Sequence, residues 1–330
     1  MALQRVDLFG TMRADLERVN ARIADAASVD YPVVSHLLAE IVSARGKQLR
    51  PLLLLLAARA YEYESNFSAL VTAAAGVELL HTASLIHDDT VDRAALRRGK
   101  PTLNSQLSSG AVILIGDYLF AQSAMLAAAT DNTRVVTVFA STLGDICDGQ
   151  LLEMFEASRL DQTPEQYERR IYGKTASLFA GAAEMGAILS RAPESHIQAL
   201  RRFGSDIGMA FQIIDDVLDL TGETEELGKP AGHDLRQGTI TLPVIYYLSE
   251  IGETAPERAR IEAIVSGRVT DAAMIDEALH AIRATDAIER ALSAADAFLS
   301  RAKDQLAIVP DQETREFLEE LADLAVYRQS

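Results

Sequence analysis

Tryptophan is absent from this chain of 330 residues, cysteine occurs once, lysine five times and proline nine times. Each scarcity excludes something. The single Cys147 rules out an intrachain disulfide framework and fits a reducing compartment; its expected role is that of a small buried apolar residue. Few prolines and only short runs of strand formers, in a chain dominated by Ala and Leu, leave little to interrupt helices, so the expected fold class is all-α. Positive charge is also short: the formal net charge is −17, which argues against nucleic acid or an anionic membrane surface as partner. An anionic substrate would need a local cationic pocket or metal ions. No secretory pattern is visible, because the first residues form a charged amphipathic sequence. Of two apolar runs, 51–60 is too short to span a bilayer, and 111–129 carries Asp117, which costs about 2.5–3.5 kcal/mol at a membrane centre. The expectation is a cytoplasmic protein with no integral membrane segment.

What is present is helical periodicity nearly throughout. Residues 7–27 and 32–41 read as amphipathic helices, 68–92 as one long apolar helix, 110–129 as a second strongly buried one and 133–160 as a third. Thr163-Pro164-Glu165-Gln166 is a helix start, with Thr as N-cap, Pro at the first helical position and Gln at the third. Residues 94–102 read as a polar loop, and 221–241, with four glycines, as the least helical part. No tandem repeat or long linker divides the chain, so one domain over 1–330 is the simplest count.

The motif DDxxD occurs twice, as Asp88-Asp89-x-x-Asp92 and Asp215-Asp216-x-x-Asp219, each time ending an apolar helical run. At 3.6 residues per turn, Asp88 and Asp92 share a helical face, and like charges there destabilise a bare helix. A hard divalent cation with oxygen ligands would relieve them, whereas two solvated acidic faces would need none; the pairing favours Mg²⁺. Four of the five lysines fall in distinctive places: Lys47 in a basic turn with Arg45 and Arg50, Lys100 in a loop with Arg97 and Arg98, Lys174 within an apolar helix, and Lys229 in the glycine loop. The basic turn before Pro51 stands at a helix start, either an anion site or a solvated turn. Lys174 is either a ligand for an anion or a snorkelling structural residue. Taken together, two acidic clusters and several separated cations describe a site for diphosphates beside apolar helices.

The order GKxxRP, DDxxD with RRG, KT, FQxxDDxxD and GKPxGxD, over residues 45–243, resembles the trans-isoprenyl diphosphate synthases, also called polyprenyl synthetases. The resemblance implies an all-α single large helical bundle around a central cavity, working as a homodimer. It implies condensation of an allylic diphosphate with isopentenyl diphosphate, using about three Mg²⁺. By the same resemblance, Asp88 and Asp92, with Asp89 secondary, hold two ions, and Asp215 holds the third, supported by Asp216 and Asp219. Lys47, Arg50, His81 and Arg98 match the residues that hold isopentenyl diphosphate, although a lone His on an apolar helix is otherwise a core residue. Arg97, Lys174 and Lys229 match those on the allylic diphosphate, while Thr175 and Gln212 stand beside the forming carbocation. His87 and His233 read as structural or supporting. One departure is Gly238-Thr239-Ile240-Thr241, where the family often has Lys at the position of Thr239; Arg236 is a candidate replacement.

In this family, bulky residues four and five before the first Asp stop product growth. Here those positions are Ser84 and Ala83. Both are small, so the expected product is long, roughly C30 to C50, of the kind used for quinone side chains, with Leu80, Val77, Phe120 and Met125 as deeper limits. The rivals are a geranylgeranyl or farnesyl diphosphate synthase, a non-catalytic partner subunit, and a helical phosphohydrolase using His87-Asp88 as a metal-binding pair. A class I terpene cyclase fits less well, because Asp215 to Asp219 lacks the mixed Asn, Ser and Glu of that second motif.

Overall fold

A computed structural model describes residues 8–43, 46–92, 94–97, 100–222 and 231–327. Arg45, Arg98 and Lys229, named above, lie outside the described residues.

The amphipathic start becomes α1 (Leu8–Ala26), whose Leu8, Met12, Leu16, Val19 and Ile23 form one buried stripe. Next come α2 (Pro32–Ser43) and α3 (Leu49–Arg59). Gln48, at positive φ, caps the turn into α3 and is fastened to Asn20 of α1 at 2.8 Å. The long apolar run is α4 (Phe67–Val91), buried over most of its length against α1, α3 and α5 (Ser109–Ala128). The segment expected as a loop instead contains a two-residue antiparallel ladder, Leu96 opposite Pro101 and Arg97 opposite Lys100.

From α6 (Thr133–Glu156) the chain turns into α7 (Pro164–Ile171) through the capping box expected at Thr163 and Gln166. A single π turn, Tyr172–Ala176, then leads into α8 (Ser177–Leu189), every residue of which is buried among α3, α4, α6 and α9 (Glu194–Thr221). Small residues allow that depth. The rest of the bundle is α10 (His233–Arg236), α11 (Leu242–Ile251), α12 (Pro256–Val265), α13 (Ala272–Arg283), α14 (Ala287–Gln305) and α15 (Gln312–Val326), with α14 laid along α9.

One crossing positions the chemistry. Gly149 of α6 meets Gly173 of the π turn, and a Cβ on Gly173 would stand 2.7 Å from the Asp145 carbonyl and 2.9 Å from Gly149 Cα. Both neighbours are backbone and cannot swing aside. Gly173→Ala is therefore expected to cost about 3 kcal/mol or more and to displace Lys174 beside it, read as a lowered Tm together with lost activity.

Two expectations are corrected. Cys147 is exposed rather than buried. Residues 110–129 are buried on one face only, through Val112, Ile115, Leu119 and Leu126, while Leu114 and Met125 stay about two-thirds exposed at 68% and 63%. Met125 therefore does not floor a cavity from within this chain. By length and composition alone, α4 with its leading turn, α5 and α6 are long and apolar enough to cross a membrane.

Candidate active site

Both aspartate motifs fall at the C-terminal ends of their helices, α4 and α9. A helix end already carries about half a negative charge there, so each carboxylate is opposed by the dipole and by its neighbours. Like charge and the helix dipole both oppose this arrangement, and a cation would relieve it.

Asp88 shows the strain most clearly. Burial pushes its pKa up to about 6; Lys174 opposes the rise, Asp92 and Glu153 add to it, and Arg97 opposes it. Asp92, at the end of α4, is likewise raised, by desolvation first, with Lys174 and His233 pulling the other way. Relative to the ordinary 3.8, the folded chain holds the Asp88 proton more tightly, which contributes stability below about pH 3.8 that is lost as pH rises through about 6. Asp88→Asn is thus expected to stabilise the metal-free protein by roughly 1–3 kcal/mol near neutral pH. Calorimetry in chelator should show the two Tm values converging as the pH is lowered toward 3.8.

Asp89 has a different occupation. It is buried, and Arg97 Nε reaches both of its oxygens at 2.8 and 3.0 Å, with Nη2 also at 2.8 Å. The short hairpin that carries Arg97 is thereby clamped to the end of α4. The neighbouring Arg98 lies outside the described residues.

Lys174 enters from the π turn, the distortion that lets its side chain and that of Thr175 leave the helix where they do. Its Nζ lies 2.5 Å from Glu153 Oε1 of α6. Desolvation lowers the Lys174 pKa, but Glu153, Asp88 and Asp92 outweigh it and the net direction is upward, so the ammonium is firmly charged. Thr175 donates to Gln212 Oε1 at 2.8 Å, and Gln212 Nε2 donates to Asp216 at 2.7 Å, which ties the π turn to α9. Asp215 is half-buried on the same turn. Burial pushes Asp216 upward, against hydrogen bonds from Tyr167 and Gln212. Asp219 fastens α10: its Oδ2 accepts the Asp234 N–H at 3.0 Å and its carbonyl the Gly232 N–H at 2.7 Å.

Two turns before Asp88 on α4, His81 Nε2 lies 3.2 Å from Arg50 Nη1, and the Arg50 guanidinium stacks 4.4 Å from the centre of the Phe179 ring. Lys47 is exposed just before α3. Arg50 and His81 therefore meet, apart from Lys174. Ala83 has no accessible surface, whereas His81, Ser84, Leu85 and Asp88, which share a face of α4, are each half-buried. His87 turns away toward α5, with Nε2 3.2 Å from the Ile113 carbonyl and its ring edge-on to Phe120. That placement does not support a His-Asp metal pair. Thr239 is held by its N–H to the Asp234 carbonyl, and Arg236 buries an Nε that has no hydrogen-bond partner among the described residues.

Among the described residues, no three His, Cys, Asp or Glu side chains form a complete metal centre by themselves. The donor set, carboxylate oxygens at the ends of α4 and α9, fits a hard ion whose coordination is finished by water and other oxygen ligands. Sequence reasoning missed Glu153, Tyr167 and Arg170. Glu153 had a signal, a lone acid in the apolar run Leu151 to Phe155, but its partner Lys174 is 21 residues away.

The polyprenyl synthetase pattern matches residues 31–282, more than half of the chain. The chain belongs to the polyprenyl synthetase family. This polyprenyl synthetase is 39% identical over 315 residues, 96% of each chain, to heptaprenyl diphosphate synthase component 2 of Geobacillus stearothermophilus. Its structure is similar to a polyprenyl synthase from Caulobacter crescentus CB15 crystallised with calcium and isoprenyl diphosphate, with a TM-score of 0.91, 36% identity, and coverage of 98% of this chain and 97% of that one. A decaprenyl diphosphate synthase from Rhodobacter capsulatus gives a TM-score of 0.90 at 39% identity, covering 97% and 98%. The all-α architecture expected of a polyprenyl synthetase is the one observed.

Proposed function

We propose that the chain is a trans-prenyltransferase that condenses isopentenyl diphosphate with an allylic diphosphate, farnesyl or geranylgeranyl, and repeats the step to a long-chain all-trans polyprenyl diphosphate. One observation carries the reading: Asp88 and Asp92 on one helix end and the Thr175–Gln212–Asp216 chain on another are joined through a charged Lys174. Mg²⁺, about three ions, would neutralise the carboxylates and the diphosphate together and so ease loss of the leaving group.

Asp88, Asp92 and Asp215 would hold those ions, with Asp216 and Asp219 in support. Lys174 and Arg97, together with Lys229, bind the allylic diphosphate, and Arg236 stands in for the cation missing at Thr239. Lys47, Arg50, His81 and Arg98 hold isopentenyl diphosphate. The allylic C–O bond breaks, leaving a carbocation and free diphosphate. Electrons of the isopentenyl double bond form the new C–C bond, and the proton then lost goes to the departing diphosphate. Thr175 and Gln212 supply acceptor oxygens beside the cation. Ser84 and Ala83 leave room for the growing chain along α4.

The same reading includes one cytoplasmic domain acting as a homodimer. The open apolar faces of α5 and α6, with Ile113, Leu114, Leu151, Met154 and Phe155 exposed, support it. The relative named as a component raises the alternative of a heteromer. Chromatographic sizing of products from labelled isopentenyl diphosphate and each primer tests the length: a ladder ending at C20 or below would assign a short-chain synthase instead. Light scattering on the same active sample should give twice the chain mass of 35.8 kDa.

A further inference from the structure

Asp216 has both carboxylate oxygens engaged: Tyr167 donates its hydroxyl to Oδ2 at 2.7 Å, and Gln212 Nε2 donates to Oδ1 at 2.7 Å. Tyr167 has no accessible surface and Asp216 is buried. Gln212 turns its NH₂ toward Asp216 Oδ1, which leaves its carbonyl to receive the Thr175 hydroxyl at 2.8 Å. With its proton committed, the Thr175 oxygen has only lone pairs to offer. The chain Tyr167–Asp216–Gln212–Thr175 thus has one direction, set at its buried end.

That end is rigidly built. The capping box starts α7 one turn before Tyr167. Arg170, itself buried, donates to Gln162 Oε1 at 2.7 Å and to the Ile240 carbonyl at 2.6 Å, and its guanidinium lies 5.5 Å from the centre of the Tyr167 ring.

We infer that Tyr167 is a positioning residue: through Asp216 it fixes the amide of Gln212 and the hydroxyl of Thr175, so that both present oxygen to the forming carbocation. The inference rests on the prenyltransfer reading above. Without the Tyr167 hydroxyl, one oxygen of Asp216 is buried with no donor, and carboxylate and amide can rotate to compensate. Preorganised dipoles act on charge that exists in the transition state, so their loss appears in kcat more than in KM.

Steady-state kinetics of Tyr167→Phe, alone and combined with Gln212→Met, tests this. Alone, kcat is expected to fall about tenfold with KM for both diphosphates within about twofold. In the Gln212→Met background the same change should cost less than about twofold, because the amide it orients is gone. An unchanged kcat, a loss confined to KM, or equal losses in both backgrounds would overturn the assignment. Calorimetry confirms folding. If Tyr167→Phe does not fold, Asp216→Asn, which offers one carbonyl to two donors, is read in the same two backgrounds, and additive losses overturn the assignment equally. An inactive parent enzyme removes the prenyltransfer reading and this inference together, whereas an active parent with an indifferent Tyr167→Phe removes only the inference.

Discussion

Asp88→Ala is expected to lower the condensation rate about a thousandfold or more, while the metal-free protein melts no lower than its parent. The two halves of that result have one cause. Asp88 stands at the end of α4 with its pKa raised to about 6 by burial and by Asp92 and Glu153, so folding gains nothing from its charge. A carboxylate kept where it costs stability is kept for something that arrives later. Asp89→Ala should behave differently: it strips Arg97 of its bidentate partner and releases the hairpin. Both Tm and activity are expected to fall there, activity by about tenfold, because the loss acts through Arg97 placement rather than through the ion. Paired measurements of single-turnover rate and Tm separate the cases. Equal behaviour of the two variants would mean that the adjacent aspartates do not divide their roles as described.

Ser84→Phe is expected to shorten the product sharply, to C20 or less, with the first condensations still running. Ser84 is half-buried on α4, one turn below Asp88, and its hydroxyl donates to the His81 carbonyl at 2.8 Å. On the prenyltransfer reading a ring there stands in the path of the growing hydrocarbon, and it displaces less packing than one at a fully buried position. Ala83 has no accessible surface. Ala83→Tyr should therefore couple shortening to a stability loss of about 1–3 kcal/mol, because the ring must first push apart a filled core. Product sizing beside Tm distinguishes a plug from a distortion. An unchanged product ladder for both variants would place the length limit elsewhere.

Much of this was legible in the residue order, for reasons that differ by element. The start of α7 is written locally, since Thr163, Pro164 and Gln166 satisfy the first N–H groups themselves. The aspartate triplets stand out because each groups like charges at the end of an apolar helical run, where the helix dipole also opposes them. The π turn was not legible: it depends on Gly149 meeting Gly173 across 24 residues, and no local pattern requires it. Cys147 and α5 misled for a related reason. An apolar residue on an exposed helix face is spelled the same way as one facing the core, so Cys147, Leu114 and Met125 read as interior and stand exposed. The hydrogen bond from Tyr167 to Asp216 was not legible either, because the two stand 49 residues apart.

The most direct test of the central claim is diphosphate release with isopentenyl diphosphate alone, farnesyl diphosphate alone, and both, each with Mg²⁺ and with chelator. The account predicts release only with both substrates and Mg²⁺, one diphosphate for each isopentenyl unit incorporated. Release from either substrate alone at a comparable rate would identify a phosphohydrolase and contradict it.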